Sequence, residues 1–311
     1  MNPALRKAIG PLWPMLVRAR TSTPVRMAKA MAGAPAYARA TRGGRQVTLD
    51  LDQPVGMGGL IAHALLLHAW AEDKGSPLQV RSTSPLYAQG DEDLFAQWFV
   101  RESANAQPLG RLAAEHVIRT LAPQNIPLER AEALFARHFA PSPHLHALID
   151  DVRADVGQFE VAIHYRGTDK VLDSGRVAEQ VMLDAAAPVL AGQDGRTVFL
   201  ATDDTAFVCA IRSAWPKIRF VSYDIGDVPE GQPRHFSGLS PRDKAAEALV
   251  NIFLIAEARI VVRSSSFLSA IARLANPAQH TITINRTLAR ESPFPEREIL
   301  EHEDAGKDPS R

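Results

Sequence analysis

Residues 161–170 read VAIHYRGTDK, an apolar run that passes directly into His164, Arg166, Asp169 and Lys170. Charge gathered where a strand ends marks the place at which the chain leaves the core. Open α/β sheets bind ligands outside the carboxyl ends of their strands, where side chains reach solvent. An arginine there offers a planar, permanently charged fork that suits phosphate oxygens better than the point charge of a lysine. The same side chain, three residues from Asp169, would also serve as half of an ordinary surface ion pair. The surroundings of the decapeptide decide between the two.

Downstream, strand and helix patterns alternate, as they do in a parallel sheet with crossover helices. Strands are predicted at 159–165, 197–202, 218–223, 258–263 and 281–285, and helices near 176–190, 204–214, 241–257 and 265–275. Ser240, Pro241 and Asp243 form a helix start, with a cap, a proline at the first helical position and an acid in the first turn. The loop before it, IGDVPEGQPRHFSGLS (225–240), falls at the same sheet edge as Arg166, where long loops are often functional. Upstream, VTLDL (47–51), the glycine turn GMGG (56–59), a strongly apolar helix pattern and LQVRS (78–82) open a second α/β domain, mainly helical to about residue 150. The expected organisation is a basic N-terminal arm (1–45), an N-terminal α/β domain (46–155), a Rossmann-like domain (156–290) and a charged C-terminal tail (291–311) that frays.

Four strand ends of the second domain carry polar groups that this topology brings to one edge: His164 with Arg166, Asp203 with Asp204, Tyr223 with Asp224, and Ser264 with Ser265 and Ser266. The serines end one strand and open the next helix, so hydroxyls and backbone N–H groups face outward at a partially positive helix end, a seat for phosphate. Plain N-capping would need one serine of the three. Asp203 and Asp204 either meet a ribose or a metal, or cap the helix that follows. Gly56, Gly58 and Gly59 let backbone approach a ligand closely, although the full GxGxxG spacing of a dinucleotide fingerprint is absent. Asp50 and Asp52 share a strand face without a third ligand, and His63 and His68, five apart, miss the spacing of a one-face helical metal pair. Both histidines are expected to be satisfied within their helix. Cys209, the one cysteine, is expected in the core; it excludes an intrachain disulfide and a multi-cysteine metal site, and the cytosol is the simplest compartment.

The chain has 311 residues, room for two domains, with 46% hydrophobic and 23% charged residues and no window apolar enough to span a bilayer. Its net charge of zero hides an asymmetry: residues 1–45 hold nine of the 35 basic residues and no acid, leaving the body net negative. Nucleic acid is therefore not an expected partner. The leader, broken by Pro11, Pro14 and Pro24, lacks the continuous apolar core of a secretory signal. It reads either as a loosely ordered basic arm or as a peripheral membrane segment that sets Trp13, Leu16 and Val17 into an anionic lipid surface.

IHYRGTDK (163–170) resembles the His-x-Arg-Arg-x-Asp motif of the α1,6-fucosyltransferase and nodulation fucosyltransferase superfamily, GT-B enzymes that use GDP-fucose. FLATDD (199–204) and the serines followed by FLSAIARLA (267–275) resemble its second and third motifs, and VGMGGLIAHALLLHAWAEDKG (55–75) resembles the glycine turn of its first domain. The similarity runs in order over roughly residues 47–290. It implies a GT-B-like α/β fold, two Rossmann-like domains facing across a cleft, in a bacterial-type cytoplasmic enzyme. The implied reaction is inverting transfer of fucose from GDP-fucose to a glycan or lipid-linked glycan, with no metal or other cofactor. Donor-side residues implied by the motifs are His164, Arg166, Gly56, Gly58, Gly59, Asp203, Asp204, Asn251, Ser264, Ser265 and Ser266. Arg166 would stabilise the leaving diphosphate in place of a metal. Asp169, Lys170 and Asp173 are candidates for the base that inversion requires. Three positions depart from the pattern: the second motif arginine is Gly167, an acid just after the motif is Ser174, and the acid that faces guanine falls at Asn251. The alternatives are another nucleotide-sugar transferase, a pyruvyltransferase-like enzyme of the same architecture, and a degenerate member that binds nucleotide or glycan without turnover.

Overall fold

A computed structural model describes residues 23–76, 78–101, 106–167, 177–225, 238–285 and 292–305. Its main sheet has five parallel strands, β4 (Val161–Tyr165), β5 (Thr197–Thr202), β6 (Arg219–Val221), β7 (Ile260–Arg263) and β8 (His280–Thr283), in the order β6-β5-β4-β7-β8. A smaller sheet has the order β2-β1-β3, with β1 at Val47–Leu51, β2 at Leu78–Ser82 and β3 at Gln107–Pro108. The predicted strands are all present; 47–51, 78–82 and 197–202 match as predicted, and the others differ by two or three residues at their ends. β4 is central and buried along its whole length, which is why it reads as a near-continuous apolar run. Val161, Ile163 and Tyr165 pack on one of its faces with Met182, Phe207 and Ile211. The strand order reverses between β4 and β7, so the topological switch point lies where His164 pairs in register with Arg263.

The helices are α1 (Thr23–Ala40), α2 (Met57–Lys74), α3 (Leu94–Trp98), α4 (Arg111–His116), α5 (Leu128–His138), α6 (Pro143–Val156), α7 (Glu179–Leu190), α8 (Thr205–Ala214), α9 (Pro241–Glu257), α10 (Phe267–Ala275) and α11 (Glu296–Ala305). α9 starts as its sequence predicts: Ser240 Oγ accepts from the Asp243 N–H at 3.1 Å, and Pro241 sits at the first helical position, where no N–H is needed. In α8 the buried positions are Phe207 and Ile211, one turn apart; Cys209 lies on the other side and is exposed, not in the core. No described helix is long and apolar enough to cross a membrane.

The chain groups into two compact units, one of residues through 50, 67–80 and 104–123, the other of 51–66, 81–103 and 124 onward. The expected junction near 155 falls inside the larger unit because the helices before it pack on helices of the five-stranded sheet. α6 lies on α9, where Arg153 Nε donates to Glu257 at 3.0 Å, and α5 lies on α10, where Arg273 pairs with Glu132 at 2.7 Å. In the smaller unit, residues 23–40 of the expected basic arm form α1 rather than loose chain. A side-chain carbon on Gly33 would stand 2.1 Å from the Leu112 carbonyl oxygen, so glycine is what permits α1 to approach α4. Trp13, Leu16 and Val17 lie outside the described residues. The charged C-terminal segment is also ordered through residue 305: Glu296 is buried against Arg263, and Glu303 accepts from Thr283 Oγ1 at 2.7 Å. A buried arginine must be paired, and α11 supplies the carboxylate.

Within the larger unit the first turn of α2 touches the first turn of α10. A carbon added at Gly58 would meet the Phe267 carbonyl carbon and oxygen, both at 2.6 Å. Alanine normally favours a helix over glycine by about 1 kcal/mol. Here backbone must move instead, and Gly58→Ala is expected to destabilise the protein by roughly 1–3 kcal/mol, read as a lower urea midpoint.

Candidate functional site

Ser264 ties the ends of the two strands at the switch point. Its backbone N–H donates to the His164 carbonyl oxygen at 2.9 Å, and its Oγ accepts from the Arg166 N–H at 2.9 Å. The next amide, that of Gly167, donates to Asp203 Oδ1 at 3.0 Å, which joins the end of β4 to the end of β5. Asp204 is a helix cap, its Oδ1 accepting from Ala206 and Phe207 at 3.0 and 3.2 Å. Ser265 donates its N–H to Asn285 Oδ1 at 2.6 Å, and Ser266 caps α10.

These strand ends form one wall of a cavity of 360 Å³ that lies entirely in the larger unit. His164, Arg166 and Asp203 face it from the sheet, and Ser266 and Phe267 from the start of α10. Gly56, Gly58, Gly59 and His63 enclose it from the start of α2, with Tyr87 beside them. Asp224 and the α9 side chains Lys244, Glu247 and Asn251 complete it. The expected site residues are thus brought together, except that Ser264, Ser265 and Asp204 hold the surrounding backbone rather than line the wall. Asp169, Lys170, Asp173 and Ser174 lie outside the described residues.

His63 and Tyr87, which line the cavity, and Tyr223 near it are shifted by their surroundings. Tyr87 has its pKa pushed up to about 12, first by burial; the hydrogen bond its oxygen accepts from the Met57 N–H at 3.1 Å and the charge of Arg166 act against this. Burial holds the His63 imidazole below its ordinary value, and His63 Nδ1 is buried without a hydrogen-bond partner among the described residues, unlike the satisfied helix histidine expected. Tyr223 is pushed upward by burial and then by the nearby carboxylates of Glu247 and Asp243. The cavity thus holds the His63 imidazole and the Tyr87 phenol, with Arg166 and Asp203 on the sheet side and Lys244 and Glu247 together on α9.

Two departures from the expected motif acquire a physical account. A side-chain carbon at Gly167 would lie 2.4 Å from Asp204 Oδ2 and 2.9 Å from both Asp204 Cβ and the Tyr165 ring, so a second arginine there would require Asp204 and Tyr165 to shift. Asn251 gives its amide protons to the Tyr223 and Glu247 carbonyl oxygens at 3.0 and 2.9 Å. The acid near it is Glu247, one turn earlier on the same face, whose Oε2 accepts from the Ile225 N–H at 2.7 Å. Lys244, Glu247 and Asn251 recur at three- and four-residue steps in an apolar helix, a stripe readable in the sequence. Tyr87 had no such signal, since it lies in an irregular segment.

Parallel strands and a switch point define the class of open α/β fold whose crevice lies at the carboxyl edge of the sheet. More particularly, the fold is that of GT-B fucosyltransferase structures. The structure of POFUT1 in complex with GDP matches with a TM-score of 0.51 at 9% identity, covering 77% of this chain and 98% of that chain. NodZ α-1,6-fucosyltransferase soaked with GDP-fucose gives 0.49 at 18% identity over 75% of this chain and 93% of its own. FUT1 of Arabidopsis thaliana with GDP gives 0.47 at 10% identity, over 80% and 72%. At these identities the likeness is one of fold. No protein-family model and no curated protein sequence matches the chain.

The His63 environment predicts an acid-sensitive stability. Its folded-state pKa lies below the unfolded value of 6.5, so its contribution is complete above that pH and is lost as pH falls through the folded value. Urea midpoints measured from pH 7.5 to 5 are expected to fall more steeply for wild type than for His63→Gln.

Proposed function

We infer that this protein is an inverting glycosyltransferase that moves fucose from GDP-fucose to a hydroxyl of a glycan or glycolipid. The observation that carries the reading is Arg166, fixed through its own backbone by Ser264 at the switch point of a cavity that also holds Lys244 and the start of α10. Such a cluster suits a diphosphate that gains charge as it leaves. In the reaction the acceptor oxygen bonds to the sugar carbon that bore the diphosphate. The carbon–oxygen bond to GDP breaks with its electron pair, and the acceptor proton passes to a base. Asp169, Lys170 and Asp173, just beyond Gly167 in sequence, are the proposed base candidates. Arg166 and Lys244 would carry the charge that a metal carries elsewhere.

For the nucleotide, Glu247 is the group whose chemistry fits guanine, since a carboxylate accepts from two adjacent N–H donors. Asn251 would then hold the Tyr223 end of the wall and leave base recognition to its neighbour. Arg166 and Lys244 would meet the phosphates, and Glu247 the hydrogen-bond donors of the base.

Release of GDP from GDP-fucose, with and without candidate acceptors, tests the reading. Arg166→Ala is expected to lower kcat by about 10²–10³ while the thermal midpoint stays close to wild type, and Arg166→Lys to recover part of the loss. Wild-type turnover in Arg166→Ala would remove the assignment. Glu247→Gln is expected to weaken GDP by roughly tenfold or more and leave UDP unchanged in calorimetric titration, because one charge-assisted bond is lost only with guanine. Stable GDP-fucose binding without release under any acceptor would instead favour a nucleotide-binding member without turnover, the reading that Gly167 supports.

A further inference from the structure

Charge is divided unevenly between the two units. The smaller unit holds twelve basic and four acidic residues, and the larger 23 and 31. α1 belongs to the smaller unit and to the segment 1–45, which has no acid. It is fastened along one side only. Gly33 meets the Leu112 carbonyl oxygen of α4, and Tyr37, one turn on, packs against Trp70 with ring centroids 5.8 Å apart and shares a hydrogen bond with Ser76 Oγ at 3.0 Å.

The opposite side of α1 faces solvent. Between residues 31 and 40 the exposed positions are Met31, Ala32, Pro35, Ala36, Ala38 and Arg39, which fall on one arc of the helix while Gly33 and Tyr37 fall on the other. A helix face turned to water is ordinarily polar. Here five of the six exposed positions are apolar, and Met31 is 72% exposed. The sixth is Arg39, and Arg42 and Arg45 follow it in the exposed segment beyond the helix. None of these three guanidiniums is paired with a carboxylate among the described residues.

A face that is apolar and cationic at once is satisfied in both respects by a bilayer with anionic headgroups. Guanidinium groups pair with lipid phosphates, and the apolar arc leaves water at the headgroup–acyl boundary. A polyanion such as nucleic acid would meet the arginines and leave Met31 in water. A second copy laid α1 against α1 would bring like charges together. We propose that the outer face of α1, together with Arg42 and Arg45, is a docking surface for an anionic lipid bilayer. The proposal is independent of the transferase reading, because the cavity that carries that reading lies in the other unit.

Co-sedimentation of the full chain with phosphatidylcholine vesicles, with and without phosphatidylglycerol, tests it. Wild type is expected to partition onto the anionic vesicles alone, and less so when salt is raised from about 0.1 M to about 1 M, which shortens the screening length from about 10 Å to about 3 Å. Each arginine near such a surface raises partitioning by about fivefold, so Arg39→Gln, Arg42→Gln and Arg45→Gln combined are expected to lower it by about 100-fold. Met31→Gln, which leaves the charge unchanged, is expected to lower it by about fivefold. Both variants alter exposed side chains and are expected to keep the wild-type thermal midpoint and its shift with GDP-fucose. Absence of partitioning, equal partitioning onto neutral vesicles, or equal partitioning of wild type and the arginine variant overturns the proposal. Partitioning that the arginine variant loses and Met31→Gln keeps in full makes the face a polyanion site and overturns the lipid as its occupant. A sedimentation mass that rises with protein concentration without vesicles, and does so less in either variant, assigns the face to a second copy and likewise overturns it.

Discussion

The end of β4 is held by one serine hydroxyl. A parallel ladder runs out at Tyr165, and the Arg166 amide would be a donor without a partner at the very point where the chain must turn outward. Ser264 Oγ accepts that proton at 2.9 Å, and the Ser264 amide returns a bond to His164. Asp203 then takes the Gly167 amide, so three neighbouring strand ends are linked by side chains after the strands have stopped. Each bond contributes only about 0.5–1.5 kcal/mol net. What they do is positional: the guanidinium of Arg166 starts from a backbone that has no slack.

The same economy governs the opposite wall. The glycine turn at 56–59 belongs to a segment that reads as part of an upstream domain, yet it groups with the five-stranded sheet. Gly58 meets the backbone of Phe267 without an intervening side chain, and Tyr87 caps the adjacent Met57 N–H. Two helix starts, those of α2 and α10, are thereby brought to one cavity, and helix starts are partially positive. The partial positive charge at this cavity comes from backbone as much as from Arg166 and Lys244.

Much of this was legible in the residues because it rests on local rules. Alternation of apolar strands with periodic helices predicts the five-stranded sheet, and the Ser240–Pro241–Asp243 and Asp204 caps carry their own signatures. Other features depend on partners distant in sequence. Glu296 looks like part of a solvated charge run until Arg263, on a buried strand, is found to need it. Residues 23–40 carry Pro24 and Pro35 and no acid in the first turn, so nothing local announces α1; Gly33 packed against Leu112 does. Cys209 is apolar by type, but its angle on α8 turns it away from Phe207 and Ile211. The stripe of Lys244, Glu247 and Asn251 was readable, and reading it by helical period rather than by motif position identifies Glu247.

Gly167 and the first turn of α8 compete for one space. The space a side chain would occupy there is filled by Asp204, the residue that also closes the first turn of α8. A second arginine at 167 would have to displace that carboxylate. With the carboxylate displaced, α8 loses its cap. Position 167 and the cap of α8 are therefore coupled through one shared space.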